Sequence, residues 1–437
     1  MKTKRPKRYK KELLDASGIT PEVVSKWWTP RFGLSNPERM NNPLWEWLVR
    51  TRMEACAAAD RFSYPETSKC DDNFLGPAWC FARMGQSVTP LPDGRVVLIS
   101  GEHEDHYDQD FNIYNDVTVY HPDGSLDIFG YPVEIFPPTD FHSATLMGDR
   151  IVIIGNLGYP KDRRQGETQV AELDIVTWKM RLVPTFGESP GWIHSHVAES
   201  GLDRKSIFVR AGLIDSTVRD GKCPLLENLD QWSLDLESWQ WSRIKHEKWE
   251  RYAFGAEGVR SLPFWILKHL PFTLQYYTDS KPDPEKPTPQ QLVPPEKWEE
   301  FLSRFGETNA KAQAEAAMIY KYGCNPDVGV YESLYQPDVP HQPVPEIESE
   351  DQEEEDEVYE EEGPFDWDEE DYSGPEGVFE GTRISVNGVV VRYKESGPQV
   401  LLTIEGALPE DTVASLVSDL QRKLEILLAR PVYAQRL

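Results

Sequence analysis

The sequence has no run close to the ~20 consecutive apolar residues that a membrane-spanning helix needs. Its first residues, MKTKRPKRYKKELLDASG, are basic but lack the apolar core and small-residue cleavage pattern of a secretory signal. Cysteine is scarce. Cys56, Cys70, Cys80, Cys223 and Cys324 are odd in number and lack zinc-type pairing, which suits free thiols in a reducing cytoplasm. There is no G-x-S-x-G, P-loop, dinucleotide-binding glycine motif, HExxH or EF-hand spacing. These absences predict a cytoplasmic chain with no membrane span, cofactor, metal or catalytic residue.

Most of the excess negative charge is confined to a single tract. The 437 residues carry a formal net charge of −28, and Glu346 to Asp371 contains 17 acidic residues and no basic ones. Removing those 17 charges from −28 leaves −11 for the remainder. Such a chain repels nucleic-acid phosphates, and its one basic patch is the tip, with seven Lys/Arg in residues 1–12. The folded body is therefore not expected to bind nucleic acid. The expected partner is a protein, and a basic one. Hydrophobic residues make up only 39%, but 14 Trp, 18 Tyr and 17 Phe suffice for sizeable cores.

What is present in the middle of the chain is a repeat. QSVTPLPDGRVVLISG (86–101), HSATLMGDRIVIIG (142–155) and HSHVAESGLDRKSIFVRAG (194–212) line up. Each has a short strand, a glycine turn, a basic residue (Arg95, Arg150, Lys205), an apolar strand and a closing glycine. A polar loop and a third strand follow each one. The steps of 56 and 52 residues suit propeller blades of several short strands. Trp178 and Trp239 or Trp241, late in the second and third units, are placed to pack between blades.

These segments resemble kelch motifs over residues ~81–245. The double glycine that closes the second kelch strand is here SG, IG and AG, and only three units are clear. The resemblance implies a fold that is mainly β with α: a kelch-like β-propeller, or part of one, flanked by helices, with a small C-terminal α/β unit. An open stack must protect its strand edges, and the tryptophan-rich helical flanks are candidates for that.

The expected organisation is as follows. Residues 1–80 form a helical and irregular extension, with Thr20 and Asn42 as N-caps before Pro21 and Pro43. Trp45, Leu48, Val49, Met53 and Cys56 share one apolar helix face. Residues 81–250 form the repeat region. Residues 251–336 form a helical flank with a Pro-rich linker and two helices, PPEKWEEFLSRFG and TNAKAQAEAAMIYKYG. Residues 337–378 read as a disordered acidic linker. Residues 379–437 form a small α/β tail, with Asn387-Gly388 as a turn and Val413, Leu416, Val417, Leu420, Leu424 and Leu427 on one helix face.

Two segments stand out as candidate binding surfaces. GEHEDHYDQDFNIYND (101–116), the loop between the second and third strands of the first repeat, gathers His103, Glu104, Asp105, His106, Asp108 and Asp110. It reads as a solvated loop or a recognition loop on the rim, and its spacing is not that of a metal site. In the acidic tract, Phe365, Asp366, Trp367, Asp368, Glu369 and Tyr372 alternate aromatics with carboxylates, a pattern suited to docking on a basic partner. His142 and His194 occupy one repeat position, where Gln86 stands first, and read as structural histidines bonded to a neighbouring blade; His196 adds a second imidazole nearby. The function expected is a non-enzymatic protein-interaction module, with an inhibitor or immunity protein against a basic toxin or nuclease as a special case. The alternative is a carbohydrate-active enzyme using the propeller rim. The secreted copper oxidases built on kelch propellers need a secreted chain and copper ligands, and neither signal is present.

Overall fold

A computed structural model describes residues 18–53, 55–64, 77–103, 111–216, 224–262, 264, 328–344 and 381–437. The described residues divide into two compact units: those up to Ser216 with Leu225–His246 form the first, and Pro224 with those from Glu247 onward form the second. The fold is mainly β, in several antiparallel sheets, none closed into a barrel. Among the described residues no helix is long and apolar enough to cross a membrane.

In the first unit each repeat forms a four-stranded meander. The first sheet comprises Ser87–Pro90, Val96–Ile99, Val117–Tyr120 and Leu126–Gly130, with Glu38–Arg39 added at its outer edge. The second comprises Ser143–Met147, Arg150–Ile154, Val170–Asp174 and Met180–Leu182. The third comprises Val197–Ser200, Ser206–Arg210, Gln231–Asp235 and Trp241–Lys245. The apolar run RIVII explains the stacking. Successive side chains of a strand point to opposite faces. Ile151 and Ile153 enter a core with Val97, Ile99, Val117 and Val119 of the first sheet. Val152 and Ile154 enter a second core with Ile207, Val209, Trp232 and Leu234 of the third. The middle sheet is covered on both faces, and each fully buried Val, Leu or Ile side chain contributes roughly 1.5–3 kcal/mol.

The first sheet's other face is covered by the helical extension. Thr20 and Asn42 cap Pro21–Trp27 and Pro43–Thr51 as expected, Asn42 Oδ1 accepting from the Leu44 and Trp45 amides at 3.1 Å. Trp45 stacks on Trp79 at 4.7 Å, and the Tyr120 hydroxyl donates to the Val49 carbonyl at 3.3 Å. The apolar helix face does not continue from Trp45 to Cys56. Arg52 is left-handed (φ 50°), its amide returns to the Leu48 carbonyl, and a separate helix begins at Ala55.

The turns between the third and fourth strands repeat in detail. Trp178 and Trp239 are both left-handed, φ 59° and 56°. Asp174 and Asp235 each accept two backbone N–H groups before them. The basic residue of one repeat then covers the tryptophan of the next: Arg95 lies 5.2 Å from the Trp178 ring, and Arg150 lies 5.7 Å from that of Trp239. Trp178 also stacks on Phe129 at 5.4 Å. Its indole is only half-buried, so Trp178→Ala is expected to cost about 2–3 kcal/mol, below the 3–5 of a fully buried tryptophan. A melting temperature that does not move would contradict this packing.

The second unit is a six-stranded antiparallel sheet in the order Gln342–Pro343, Thr382–Val386, Val389–Ser396, Gln399–Ile404, Glu250–Gly255, Tyr433–Arg436. Helix Glu410–Leu428 packs Leu416, Leu420, Leu424 and Leu427 against Val391, Tyr393, Val400, Leu402 and Ile404. Asn387 and Gly388 (φ 51° and 81°) make the expected turn. A tail of under ~60 residues is small to stand alone. Here it closes around Glu250–Gly255, a strand from the segment read as helical flank. Ordered chain also continues past 337, through the strand Gln342–Pro343. The basic tip, the two helices expected between 294 and 323 and the acidic tract lie outside the described residues.

Candidate functional site

The inner ends of the three sheets bring the repeats' polar residues together. Gly85, Phe141 and Ser195 are equivalent left-handed residues, φ 62°, 49° and 51°. The Phe141 amide donates to the Gly85 carbonyl at 2.9 Å, and the Ser195 amide to the Phe141 carbonyl at 2.7 Å. This chain of bonds corrects the alignment of the third repeat by two residues. His142 matches His196 and Gln86, while His194 matches Asp140 and Met84. A two-residue shift preserves strand alternation, so the apolar pattern cannot detect it.

The matched residues tie neighbouring sheets. Ser87 Oγ lies 2.8 Å from His142 Nε2, and Ser143 Oγ lies 2.9 Å from His196 Nε2. Both rings are buried, and neither Nδ1 has a hydrogen-bond partner among the described residues. Burial therefore pushes His142 down to about 3. Burial, helped by His142 and His194, takes His196 down to about 3. Burial and the Arg163 charge take His194 down to about 4. The strand-closing glycines permit this crowding. A Cβ on Gly155 (φ 81°) would stand 2.4 Å from the Ile193 carbonyl oxygen and 2.6 Å from the His196 ring. The residue before the glycine, also glycine in the kelch pattern, is left-handed in Ser100 and Ala211, φ 54° and 55°.

The loop after Ile154 spans all three repeats. The Tyr159 hydroxyl accepts from the Ile113 amide at 2.9 Å, toward the first repeat. Arg163 reaches both carboxylate oxygens of Asp215, at 3.2 and 3.1 Å, in the third. Between them, Asp140 Oδ1 accepts from the Gly158 amide at 2.7 Å. Asp140 Oδ2 is buried without a hydrogen bond of ordinary length, and the Glu102 side chain interacts with it. Burial raises the Asp140 carboxyl, and the Gly158 amide, Glu102 and Arg163 offset part of that rise. Burial raises Asp215 too, against the pull of Arg163.

A second buried polar knot closes the first sheet. Arg83 grips Asp116 at 2.5 and 3.0 Å, and the Trp79 indole N–H donates to the same carboxylate at 2.7 Å. The guanidinium lies over Tyr114 at 3.6 Å and Trp79 at 5.0 Å. Burial drives the Tyr114 hydroxyl well up.

The sequence-predicted residues are placed unevenly. His103 lies in the strand Glu102–His103, paired with Asn112–Ile113. It is buried rather than presented on the rim, with Nδ1 3.2 Å from the Ala82 carbonyl. Glu104, Asp105, His106, Asp108 and Asp110 lie outside the described residues, as do Phe365, Asp366, Trp367, Asp368, Glu369 and Tyr372. Among the described residues no three His, Cys, Asp or Glu side chains are placed to hold a metal ion. The sequence reading missed Glu102, Asp140, Arg163 and Asp215. The available signal was position: Asp140 and His194 directly precede equivalent turn residues.

No protein-family model matches the chain, and no curated protein matches it by sequence. Many solved structures show a low-level likeness, and two serve as examples. One is described as the structure of YjhT, at 12% identity and a TM-score of 0.25, covering 38% of this chain and 53% of that one. The other is MPT-4, a mannose phosphorylase from Leishmania mexicana in complex with phosphate ion, at 13% identity and a TM-score of 0.25, covering 38% and 52%. The matched region thus spans about half the length of either structure.

Proposed function

We propose that the three sheets are blades of a kelch-like propeller and that the chain is a non-enzymatic interaction module, its acidic tract engaging a basic protein partner. An inhibitor or immunity protein against a basic toxin or nuclease is the most specific form of this reading. One observation supports it above the others. The chemistry-bearing side chains at the inner ends serve as ties between sheets: His142 to Ser87, His196 to Ser143, Arg163 to Asp215. Residues committed to architecture leave recognition to the surface and to the tract, where 17 carboxylates face no cation of their own segment. The test is a pull-down from the native host at physiological salt, analysed by mass spectrometry. The expected result is a basic protein retained stoichiometrically by the full chain and lost when the acidic residues of 346–371 are changed to Asn and Gln. Equal retention by both chains contradicts the proposal.

A second reading, an enzyme acting on a carbohydrate at the rim, has one observation in its favour. Burial raises the Asp140 carboxyl, the direction that suits a general acid. Turnover of a glycoside panel by the intact chain, abolished by Asp140→Asn without loss of folding, would favour it.

A further inference from the structure

The three sheets of the first unit stack in chain order, and they differ in the face each turns toward the next. Ser87 pairs with Ile99, Ser143 with Ile154 and Val197 with Arg210, so the three pairs mark one position in the repeat. Two residues before Ile99, Ile154 and Arg210, and so on the same face, stand Val97, Val152 and Phe208. The following strand adds Val117 and Val119 in the first sheet, Val170 and Glu172 in the second, and Gln231 and Ser233 in the third. The first sheet thus offers Val97, Ile99, Val117 and Val119, all fully buried. The second offers Val152, Ile154 and Val170, with Glu172 held by Arg150 and Arg181. The third offers Phe208 alone. That ring is 39% exposed, and Arg210 beside it pairs with Glu199 at 3.3 Å in contact with water.

The third sheet is otherwise built like its neighbours. Its opposite face sends Ile207, Val209, Trp232 and Leu234 into the core shared with the second sheet. The loss of apolar character is therefore confined to the outward face. Burying that face would strip water from Arg210 and Glu199, a cost that the contacts of one phenylalanine do not offset. A single exposed aromatic is ordinary for a protein surface. The outermost strand, Trp241–Lys245, also carries a bulge opposite Gln231 and Trp232, a feature that twists an edge away from further pairing. The far face of the first sheet is closed differently, by the helical extension. Stacked repeats need end units with a polar outer face. We infer that the third sheet is such a cap: the array is complete as an open arc of three sheets, and no fourth blade stacks on it, whether from a second copy or from another protein. The inference rests on the sheets being repeats of one array and not on the role of the acidic tract. A partner of the chain is then recognised elsewhere than on this face.

The test compares full-length variants in two measurements. In thermal melts, Phe208→Ser is expected to move the midpoint by no more than ~2 °C, as an exposed substitution does. Val152→Ala, at the equivalent position of the second sheet, is expected to lower it by ~5 °C or more, because it opens a cavity in a dry core. In sedimentation velocity between ~1 and ~100 µM, the wild type and Phe208→Ser are expected to behave alike. Arg210→Ile with Gln231→Val and Ser233→Val restores the pattern of Ile99, Val117 and Val119. That chain, uncapped, is expected to self-associate at least tenfold more tightly than the wild type. A Phe208→Ser midpoint as low as that of Val152→Ala overturns the inference, and so does a wild-type assembly that Phe208→Ser dissociates, since the face would then be covered by a copy. A folded triple variant that associates no more than the wild type overturns it too. If the triple variant does not fold, the melts of the two single variants decide.

Discussion

Lowering the pH from 7 to 5 is expected to remove up to about 6 kcal/mol of stability, a slope approaching ~4 kcal/mol per pH unit. The sign follows from three imidazoles. His142 and His196 are depressed to about 3 and His194 to about 4 in the folded state. The unfolded chain protonates all three near pH ~6.5. Below that value unfolding takes up protons that the native state refuses, so stability is present at neutrality and lost as the pH falls toward 4. Asp140 and Asp215, whose carboxyls are raised, work in the opposite sense and flatten the lower end of the window. The loss is a large fraction of the ~5–15 kcal/mol that holds a typical domain together. Denaturant titrations at half-unit pH steps measure it. The protein supplies its own control residue: Gln86 holds the equivalent position in the first repeat and donates to the Ser100 carbonyl at 3.2 Å. His142→Gln with His196→Gln should cut the slope to about one third, leaving the ~1.4 kcal/mol per unit of His194. An unchanged slope in that variant contradicts the assignment.

Asp116→Ala is the single change expected to be most damaging. It removes the carboxylate that satisfies Arg83 and the Trp79 indole together. The Arg83 side chain is only 1% exposed, so its charge would be stranded in a dry site between Tyr114 and Trp79. Breaking a buried pair in this way costs about 3–5 kcal/mol. The contrast is Glu237→Ala, which breaks the pair with Lys205 where both side chains are more than half exposed. That variant should melt at nearly the wild-type midpoint, since water already screens the pair. Equal midpoints for the two variants in a chemical melt would refute the distinction.

The residues whose role is set by near neighbours are the ones the sequence exposes. Thr20 and Asn42 cap because their side chains meet amides two or three residues on. RIVII announces a strand buried on both faces, and the Leu416–Leu427 stripe announces a helix on a sheet. What stays hidden depends on distant chain. Glu250–Gly255 finds its partners at Val400–Ile404 and Tyr433–Arg436, which no local pattern announces. The same holds for the site. The histidines themselves are visible, and the expected bond to the neighbouring sheet is found at His142; His194 instead meets Ser195 beside it, and His196 makes the equivalent bond in the third repeat. The tie of Arg163 to Asp215 arises only because one loop crosses the inner ends of three sheets. His103 sits in a run of polar residues that reads as solvated, yet two-residue strand pairing buries it.

The three repeats are stacked and fastened to one another by backbone hydrogen bonds. Amide hydrogen exchange at Phe141 and Ser195, followed by NMR at neutral pH, tests it most directly. Their N–H groups donate across sheet boundaries, to Gly85 and Phe141. Buried bonds of this kind should open only with global unfolding, so both amides are predicted to exchange as slowly as those of Ile151 and Ile153 in the middle strand. Exchange at the rate of an exposed turn, with Ile151 and Ile153 still protected, would mean that the sheets fold but are not joined.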